Sequence, residues 1–272
     1  QLFINNGYKD PKVFSNYAVI LRDFGKLNEA EFFIRKAIEI KPDFEKAHLN
    51  LGLILRDLGK LEEAVIATKK AIELNPHCSK AHLNMGNILS ELGKTQDALK
   101  SQQRVIEIEP DFAMAYSNIG GLLRELGKLE EAESSIRKAI ELNPDLPNSY
   151  LNLGSILRDL GKLEEAEIST KKAIELNPYL AEAYLNLGNI LSDIGKLNEA
   201  ELILRKAIEI EPELALVYSN LGNVLRELGQ LKEAELILRK AIEIDPDLPN
   251  AYLNLGTILR DLGDLQEAEF LT

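Results

Sequence analysis

The amino-acid sequence predicts an all-α solenoid built from tandem helix–turn–helix repeats of 34 residues. A glycine and a proline each recur at that spacing, and apolar residues between them return every three or four positions, as on one face of an α-helix. The glycines are Gly25, Gly59, Gly93, Gly127, Gly161, Gly195, Gly229 and Gly263, and the prolines are Pro42, Pro76, Pro110, Pro144, Pro178, Pro212 and Pro246. A fixed period of this length indicates small units that bury their apolar faces by stacking.

Each repeat is predicted to contain two amphipathic helices, A and B, illustrated by the second repeat, in which Glu45 is position 1. Helix A ends at Gly59, because glycine readily adopts the left-handed conformation of a helix C-terminus. Helix B starts with acids in its first turn, Glu62 and Glu63, and the following proline prevents its continuation. An aspartate after the proline, such as Asp145 in a later repeat, is predicted to cap the next helix A.

The repeat array is predicted to cover residues 11–272, preceded by the end of another helix and a linker in residues 1–10. The predicted repeats are 11–44, 45–78, 79–112, 113–146, 147–180, 181–214, 215–248 and, in part, 249–272.

Composition excludes several classes of partner. The net charge is -12 and the pI is near 4.9, which argues against nucleic acid and anionic membrane surfaces, since both bind clustered positive charge. A neutral or basic polypeptide segment is favoured as the partner. Cys78 is the only cysteine, so no internal disulfide is expected, and a reducing cytoplasmic location is predicted.

Catalytic and metal-binding patterns are not found in the sequence. His77, Cys78 and His82 lie close together, but His82 takes a core position of its repeat and no fourth ligand accompanies them. No phosphate-binding loop, dinucleotide fingerprint or nucleophile motif is present. We therefore predict no catalytic residue, no metal and no cofactor, and no enzymatic activity for this segment by itself.

Three small or rigid residues at fixed positions resemble the tetratricopeptide repeat family: glycine at position 8, alanine at position 20 and proline at position 32. The glycines are Gly52, Gly86, Gly120, Gly154, Gly188, Gly222 and Gly256, and the alanines run from Ala30 to Ala268. The resemblance implies a right-handed superhelix in which A helices line a concave groove and B helices lie outside. The DLGKLEEAE segment at 159–167 resembles repeats of bacterial proteins, cyanobacterial ones in particular.

Position 6 of helix A is asparagine in every repeat, although asparagine inside a helix costs about 0.5–0.7 kcal/mol relative to alanine. This asparagine ladder comprises Asn16, Asn50, Asn84, Asn118, Asn152, Asn186, Asn220 and Asn254. A helical wheel places position 6 away from the core, so the amides are candidates to bind the backbone of an extended peptide. The ladder resembles the groove of O-linked N-acetylglucosamine transferases. Alternatively, the asparagines bond between neighbouring A helices.

An arginine stripe lies beside the ladder, at position 12 of helix A. Its members are Arg22, Arg56, Arg124, Arg158, Arg226 and Arg260, and of these Arg56, Arg124, Arg158 and Arg226 are candidate peptide-binding residues. Their planar guanidinium groups suit carboxylates and peptide carbonyls. Alternatively, the stripe pairs with the acids that fill position 13 of adjacent repeats.

Position 22 of helix B is apolar in six repeats although the wheel places it opposite the core. These residues are Phe32, Ile66, Ile168, Leu202, Leu236 and Phe270. One interpretation is an exposed stripe that drives weak self-association. The other is that helix B contacts two A helices and buries a wider arc than the wheel allows.

The function predicted from these features is a protein-interaction scaffold that binds an extended peptide in its groove. A second period of 102 residues, seen in Ser15, Ser117 and Ser219, repeats the groove chemistry every three units and suits an extended ligand. Two alternatives stay open. One is the substrate-recruiting region of a larger glycosyl- or sulfotransferase, and the other is a self-assembling structural array.

Overall fold

The structure, a computed structural model, describes residues 10–271, with the side chains of residues 10–269. The chain forms two compact units, one ending at Leu142 and the other beginning at Asn143. The predicted end of a preceding helix lies outside the described residues, except for Asp10.

The described part of the first unit holds eight helices. They are α1 (Pro11–Asp23), α2 (Leu27–Ile40), α3 (Glu45–Asp57), α4 (Leu61–Leu74), α5 (Ser79–Glu91), α6 (Thr95–Ile108), α7 (Ala113–Glu125) and α8 (Leu129–Leu142). Odd-numbered helices are the predicted A helices and even-numbered ones the predicted B helices.

The second unit holds eight more helices up to residue 271. They are α9 (Pro147–Asp159), α10 (Leu163–Leu176), α11 (Ala181–Ile194), α12 (Leu197–Ile210), α13 (Ala215–Glu227), α14 (Leu231–Ile244), α15 (Pro249–Leu262) and α16 (Leu265–Leu271). Residues 10–271 contain no strand, and the predicted all-α fold of tandem helix–turn–helix repeats is confirmed.

The turn between helix A and helix B explains the glycine period. All eight periodic glycines have a φ between +68° and +90°, where a β-carbon is strained. In the second repeat this conformation lets the backbone N–H of Lys60 donate to the carbonyl of Leu55 at 2.9 Å. The chain can then reverse within a few residues and start helix B.

Within each unit, every helix A packs against its own helix B, and that helix B packs against the next helix A in the unit. Glycine at position 8 sits at the first of these contacts. A β-carbon on Gly52 would lie 2.2 Å from Oγ1 of Thr68, and one on Gly188 would lie 2.6 Å from Leu204. Only glycine allows the two helices to approach this closely.

The predicted aspartate caps of helix A are wrong. Phe44 and Leu146 occupy the N-cap positions of α3 and α9 and make no side-chain cap bond. Instead, Oδ1 of Asn143 accepts the backbone N–H of Asp145 at 3.0 Å, and Asn75 makes the equivalent bond in its own repeat. The residue before the proline therefore shapes the turn between repeats through its own side chain.

Candidate functional site

The first unit carries a groove of about 430 Å³ on its helix A side, between α1, α3, α5 and α7. Its apolar lining includes Leu49, Leu53, Leu83 and Met114, and its polar lining consists of Arg22, Asn50, Arg56, Lys80, Asn84 and Asn87. The structure thus brings together two ladder asparagines and one candidate arginine of the first unit. Lys80 and Asn87 belong to the same groove, and of these two the sequence did not single out Asn87 as a binding residue.

The asparagine ladder does not have one environment. Asn84 and Asn186 are buried, with 2% and 8% of their surface exposed, and Asn16 is exposed. The remaining five are half-buried: Asn50, Asn118, Asn152, Asn220 and Asn254. For Asn84 and Asn186 the expected outward orientation is wrong.

A threonine of the preceding helix B explains the two buried amides. Nδ2 of Asn84 donates to Oγ1 of Thr68 at 2.9 Å, and Nδ2 of Asn186 donates to Oγ1 of Thr170 at 3.1 Å. Both threonines are fully buried, so each hydroxyl and amide satisfies the other inside the protein. The sequence signal was a threonine at position 24, sixteen residues before the asparagine.

Three other ladder amides bond to the preceding helix A of their unit. Asn50 donates to the Ser15 hydroxyl at 3.2 Å. Asn118 donates to Oδ1 of Asn87 at 3.2 Å, and Asn220 donates to Oδ1 of Asn189 at 2.7 Å. The alternative interpretation, amide bonds between neighbouring A helices, therefore describes these three. A side-chain amide has two N–H groups and two lone pairs, so one such bond leaves capacity for a ligand.

The arginine stripe pairs largely with acids of the following repeat. Arg22 lies 2.5 Å from Asp57, and Arg56 lies 3.6 Å from Glu91. In the second unit, Arg158 lies 2.5 Å from Asp193.

Two further candidate arginines are also engaged within the chain. Arg226 donates to Asn223 at 3.1 Å, and Arg124 is engaged as well. The bond to Asn223 restricts the orientation of the Arg226 guanidinium group.

Gln102 is a buried polar residue that the repeat pattern of the sequence does not mark. It stands at position 24, where Thr68 stands one repeat earlier, and is 1% exposed. Its Nε2 donates to Oδ1 of Asn87 at 3.0 Å, while its Oε1 has no partner in the described part of the chain. A buried carbonyl without a partner costs free energy that an apolar side chain would not.

The two histidines at position 4 are structural. Nε2 of His48 lies 2.8 Å from the carbonyl of Pro42, and Nε2 of His82 lies 3.0 Å from that of Pro76. The Tyr184 hydroxyl makes the corresponding bond in the second unit, so histidine replaces tyrosine without losing this contact. Among the described residues, no group of histidine, cysteine and acidic side chains could hold a metal ion.

Position 22 of helix B is exposed. Ile66, Ile168 and Leu202 each expose 70% of their surface, and Leu236 exposes 68%. The interpretation that helix B buries this position is wrong for these four residues. The side chain of Phe270 lies outside the described residues.

Comparison with known families covers nearly the whole array. Models of the tetratricopeptide repeat match 11–44, 45–78, 79–112, 111–178, 145–213 and 203–235, and a TPR repeat model matches 222–263. The chain belongs to the tetratricopeptide repeat (TPR) family. TPR folds are generally non-catalytic scaffolds for protein interaction. A comparison with curated proteins gave no match.

Solved TPR structures share the fold. A TPR protein of Parabacteroides merdae is 22% identical with a TM-score of 0.76, covering 92% of this chain and 98% of that one. The APC/C hetero-tetramer Cut9-Hcn1 gives 17% identity and a TM-score of 0.80 over 91% of this chain. This chain spans about half, 49%, of that matched chain.

A third structure has a higher identity. YrrB, a TPR protein with an unusual peptide-binding site, is 28% identical with a TM-score of 0.50, covering 68% of this chain and 95% of its own. Within residues 10–271, none of the helices is long and apolar enough to cross a membrane.

Proposed function

We propose that this TPR chain is a protein-interaction scaffold that binds an extended peptide segment along its A helices. The groove of the first unit carries this proposal, because an apolar lining, amides and cations share one trough of about 430 Å³. An extended peptide directs alternate side chains to opposite sides and leaves its backbone groups for hydrogen bonding. The likeness to YrrB, whose peptide-binding site is reported, supports the same function here.

The apolar and the polar residues of the groove are proposed to contact different parts of the peptide. Leu49, Leu53 and Leu83 would contact an apolar side chain of the peptide. Asn50 and Asn87, which are half-buried, would bond the peptide backbone. The ladder asparagines that are exposed or half-buried are proposed to make the same kind of contact within their own units, together with Arg124, Arg158 and Arg226; they are Asn16, Asn118, Asn152, Asn220 and Asn254.

Arg56 is held in place for this role. Its guanidinium donates to Oδ1 of Asn84 at 3.3 Å and lies 3.6 Å from Glu91. A cation fixed in this way loses little conformational entropy when it binds a peptide carbonyl or carboxylate. Asn84 is thus proposed to act through Arg56, since its own amide group is bonded to Thr68.

A random peptide library displayed on phage would supply a ligand, and fluorescence anisotropy would measure its affinity. The double variant N50A/N87A should weaken binding about 3- to 30-fold, as expected for the loss of one or two hydrogen bonds. N198A, which removes an exposed asparagine of helix B, is the matched control and should leave binding unchanged. Undiminished binding to N50A/N87A would remove these amides from the site, and a library without a binder would refute peptide recognition.

A further inference from the structure

The first unit has a second cleft, outside the helix A groove. It has a volume of about 900 Å³ and lies between the B helices α2 and α4, over Leu51 and Leu55 of α3. Position 23 of α4, which lines the cleft, is the small residue Ala67. Two repeats of the second unit have Ile203 and Ile237 at the same position.

Ile66 stands at the edge of this cleft. It is 70% exposed, and its chain neighbours Val65 and Ala67 line the same cleft. The centre of α4 therefore presents a projecting apolar side chain directly beside an apolar depression. Burying both together would remove apolar surface from water on each of two surfaces.

The charges of α4 are arranged symmetrically about Ile66. Glu62 lies four residues before it and Lys70 four after, while Glu63 lies three before and Lys69 three after. An antiparallel second α4 centred on the same isoleucine would place Glu62 opposite Lys70 and Glu63 opposite Lys69. A two-fold axis makes each of these contacts twice, with unlike charges every time.

Two of these four charges are available for such a contact. Among the described residues, Glu62 and Lys69 take part in no ion pair, and both are exposed. Glu63 lies 2.8 Å from Arg35, and Lys70 lies 3.2 Å from Glu73, both at the surface. Exposed pairs of this kind are weak and exchange partners readily.

Helix α10 shows which feature distinguishes α4. It has the same charges at the same distances from Ile168, which is also 70% exposed. However, Ile168 lies between Glu167 and Ser169, and Glu167 is bonded to Lys171 at 2.6 Å and Lys196 at 3.0 Å. A two-fold contact through α10 would place the Glu167 carboxylate of each copy beside the symmetry axis. The same contact through α4 would place the apolar residues Val65 and Ala67 there instead.

We propose that α4 is a self-association surface of this protein. A second copy of the chain packs its α4 antiparallel to the first, and each Ile66 enters the cleft between α2 and α4 of the other copy. The proposal is independent of peptide binding, since none of these residues lines the helix A groove. The association is weak, because two chains of net charge -12 repel each other.

Sedimentation velocity over a concentration series tests this proposal. The wild-type chain should show a reversible monomer–dimer equilibrium, and I66E should raise the dissociation constant at least about tenfold, the loss expected for one large apolar contact. I168E makes the same change on the matched surface and should leave the equilibrium unchanged. A wild-type chain that stays monomeric up to about 1 mM, or an I66E dimer as stable as the wild-type dimer, would overturn the proposal.

Charge reversal tests the antiparallel register. E62K and K70E should each weaken the dimer, because each places like charges opposite one another. E62K/K70E restores unlike charges across the two-fold axis and should recover the wild-type dissociation constant. Circular dichroism should show unchanged helicity in all three variants, since both residues are exposed. A double variant as weak as the single ones would rule out this register.

Discussion

Asn50 and Asn84 are the same residue at the same position of successive repeats, yet they have different environments. Asn84 is 2% exposed and donates to Thr68 at 2.9 Å, while Asn50 is half-buried and donates to Ser15 at 3.2 Å. The difference lies at position 24 of the preceding helix B. This residue is Thr68 before Asn84 and Ile34 before Asn50. The environment of an asparagine that recurs in every repeat therefore depends on a neighbouring residue that differs from one repeat to the next.

The second unit repeats the contrast. Asn186 is buried against Thr170, whereas Asn220, one repeat later, follows Leu204 and bonds to Asn189 at 2.7 Å. Since the same difference arises in two separate units, the threonine is its cause. We refer to the asparagine–threonine pairs as the buried junctions.

The largest expected effect is on the free energy of unfolding, which should fall more when the buried junctions are removed than when the other ladder amides are removed. N84A/N186A leaves two buried threonine hydroxyls without their donor and should lower the free energy of unfolding by about 2–4 kcal/mol. N50A/N220A removes half-buried amides at the same position and should cost about 1 kcal/mol or less. Urea denaturation of both variants makes the comparison, and equal losses would contradict the distinction.

A double-mutant cycle tests whether the threonine acts through the asparagine. T68V and N84A each leave one buried polar group without a partner, and the double variant removes both groups. The double variant should therefore cost about 1 kcal/mol less than the sum of the single variants. The cycle of S15A with N50A is the control, with a coupling below about 0.5 kcal/mol. Ser15 is itself buried, so equal coupling energies would show that burial of the asparagine amide does not matter.

Gln102 offers a stabilising change at the same position as the threonines. Q102L removes a buried carbonyl that has no partner among the described residues, and Leu204 already fills this position in the second unit. We expect a gain of about 0.5–1 kcal/mol in the free energy of unfolding, although the bond to Asn87 is lost. Asn87 still accepts from Asn118. A loss of stability in urea would mean that the Gln102 bond outweighs its unpaired oxygen.

The smallest effect is pH-dependent and belongs to an ion pair rather than a buried junction. Hydrogen bonds from Lys171 and Lys196 lower the pKa of Glu167 below 4.5. A lowered pKa contributes stability above pH 4.5, and this contribution is lost as the pH falls through the folded-state value. E167Q should therefore be less stable by under about 1 kcal/mol at pH 7, with the gap closing in acid. Thermal melts between neutral and acidic pH measure this.

The buried junctions provide the control for that measurement. Neither an amide nor a hydroxyl titrates in this range, so the cost of N84A should be the same at each pH where the protein is folded. A pH-dependent cost of N84A would show that an acidic group also depends on the junction, beyond the bond that Arg56 donates to Asn84.

The local structure could be predicted from short-range chemistry. Glycine at positive φ, as in Gly59, is required at the turn from helix A to helix B, and proline after helix B prevents the continuation of that helix. Pairing of the arginine stripe with acids of adjacent repeats was also predictable, since both positions recur on the same helix face. Arg22 with Asp57 and Arg158 with Asp193 confirm it.

The side-chain environments could not be predicted in the same way. A helical wheel treats one helix at a time, whereas Asn84 is buried by a helix of the neighbouring repeat. Ile66 is the opposite case, an apolar side chain that stays exposed. The sequence could not show whether the two flanking helices cover this side chain. The groove likewise depends on how four A helices lie side by side.

By itself, the sequence determined the repeat length, the two helices of each repeat, the turns between them and the TPR family. These features follow from backbone chemistry within a few residues, and the chain repeats them with little change. Only the tertiary structure decided which asparagines are buried, which arginines are fixed and where apolar surface stays exposed. Such properties depend on contacts between helices of adjacent repeats, and a single buried threonine or alanine changes the space and the hydrogen-bond partners available there.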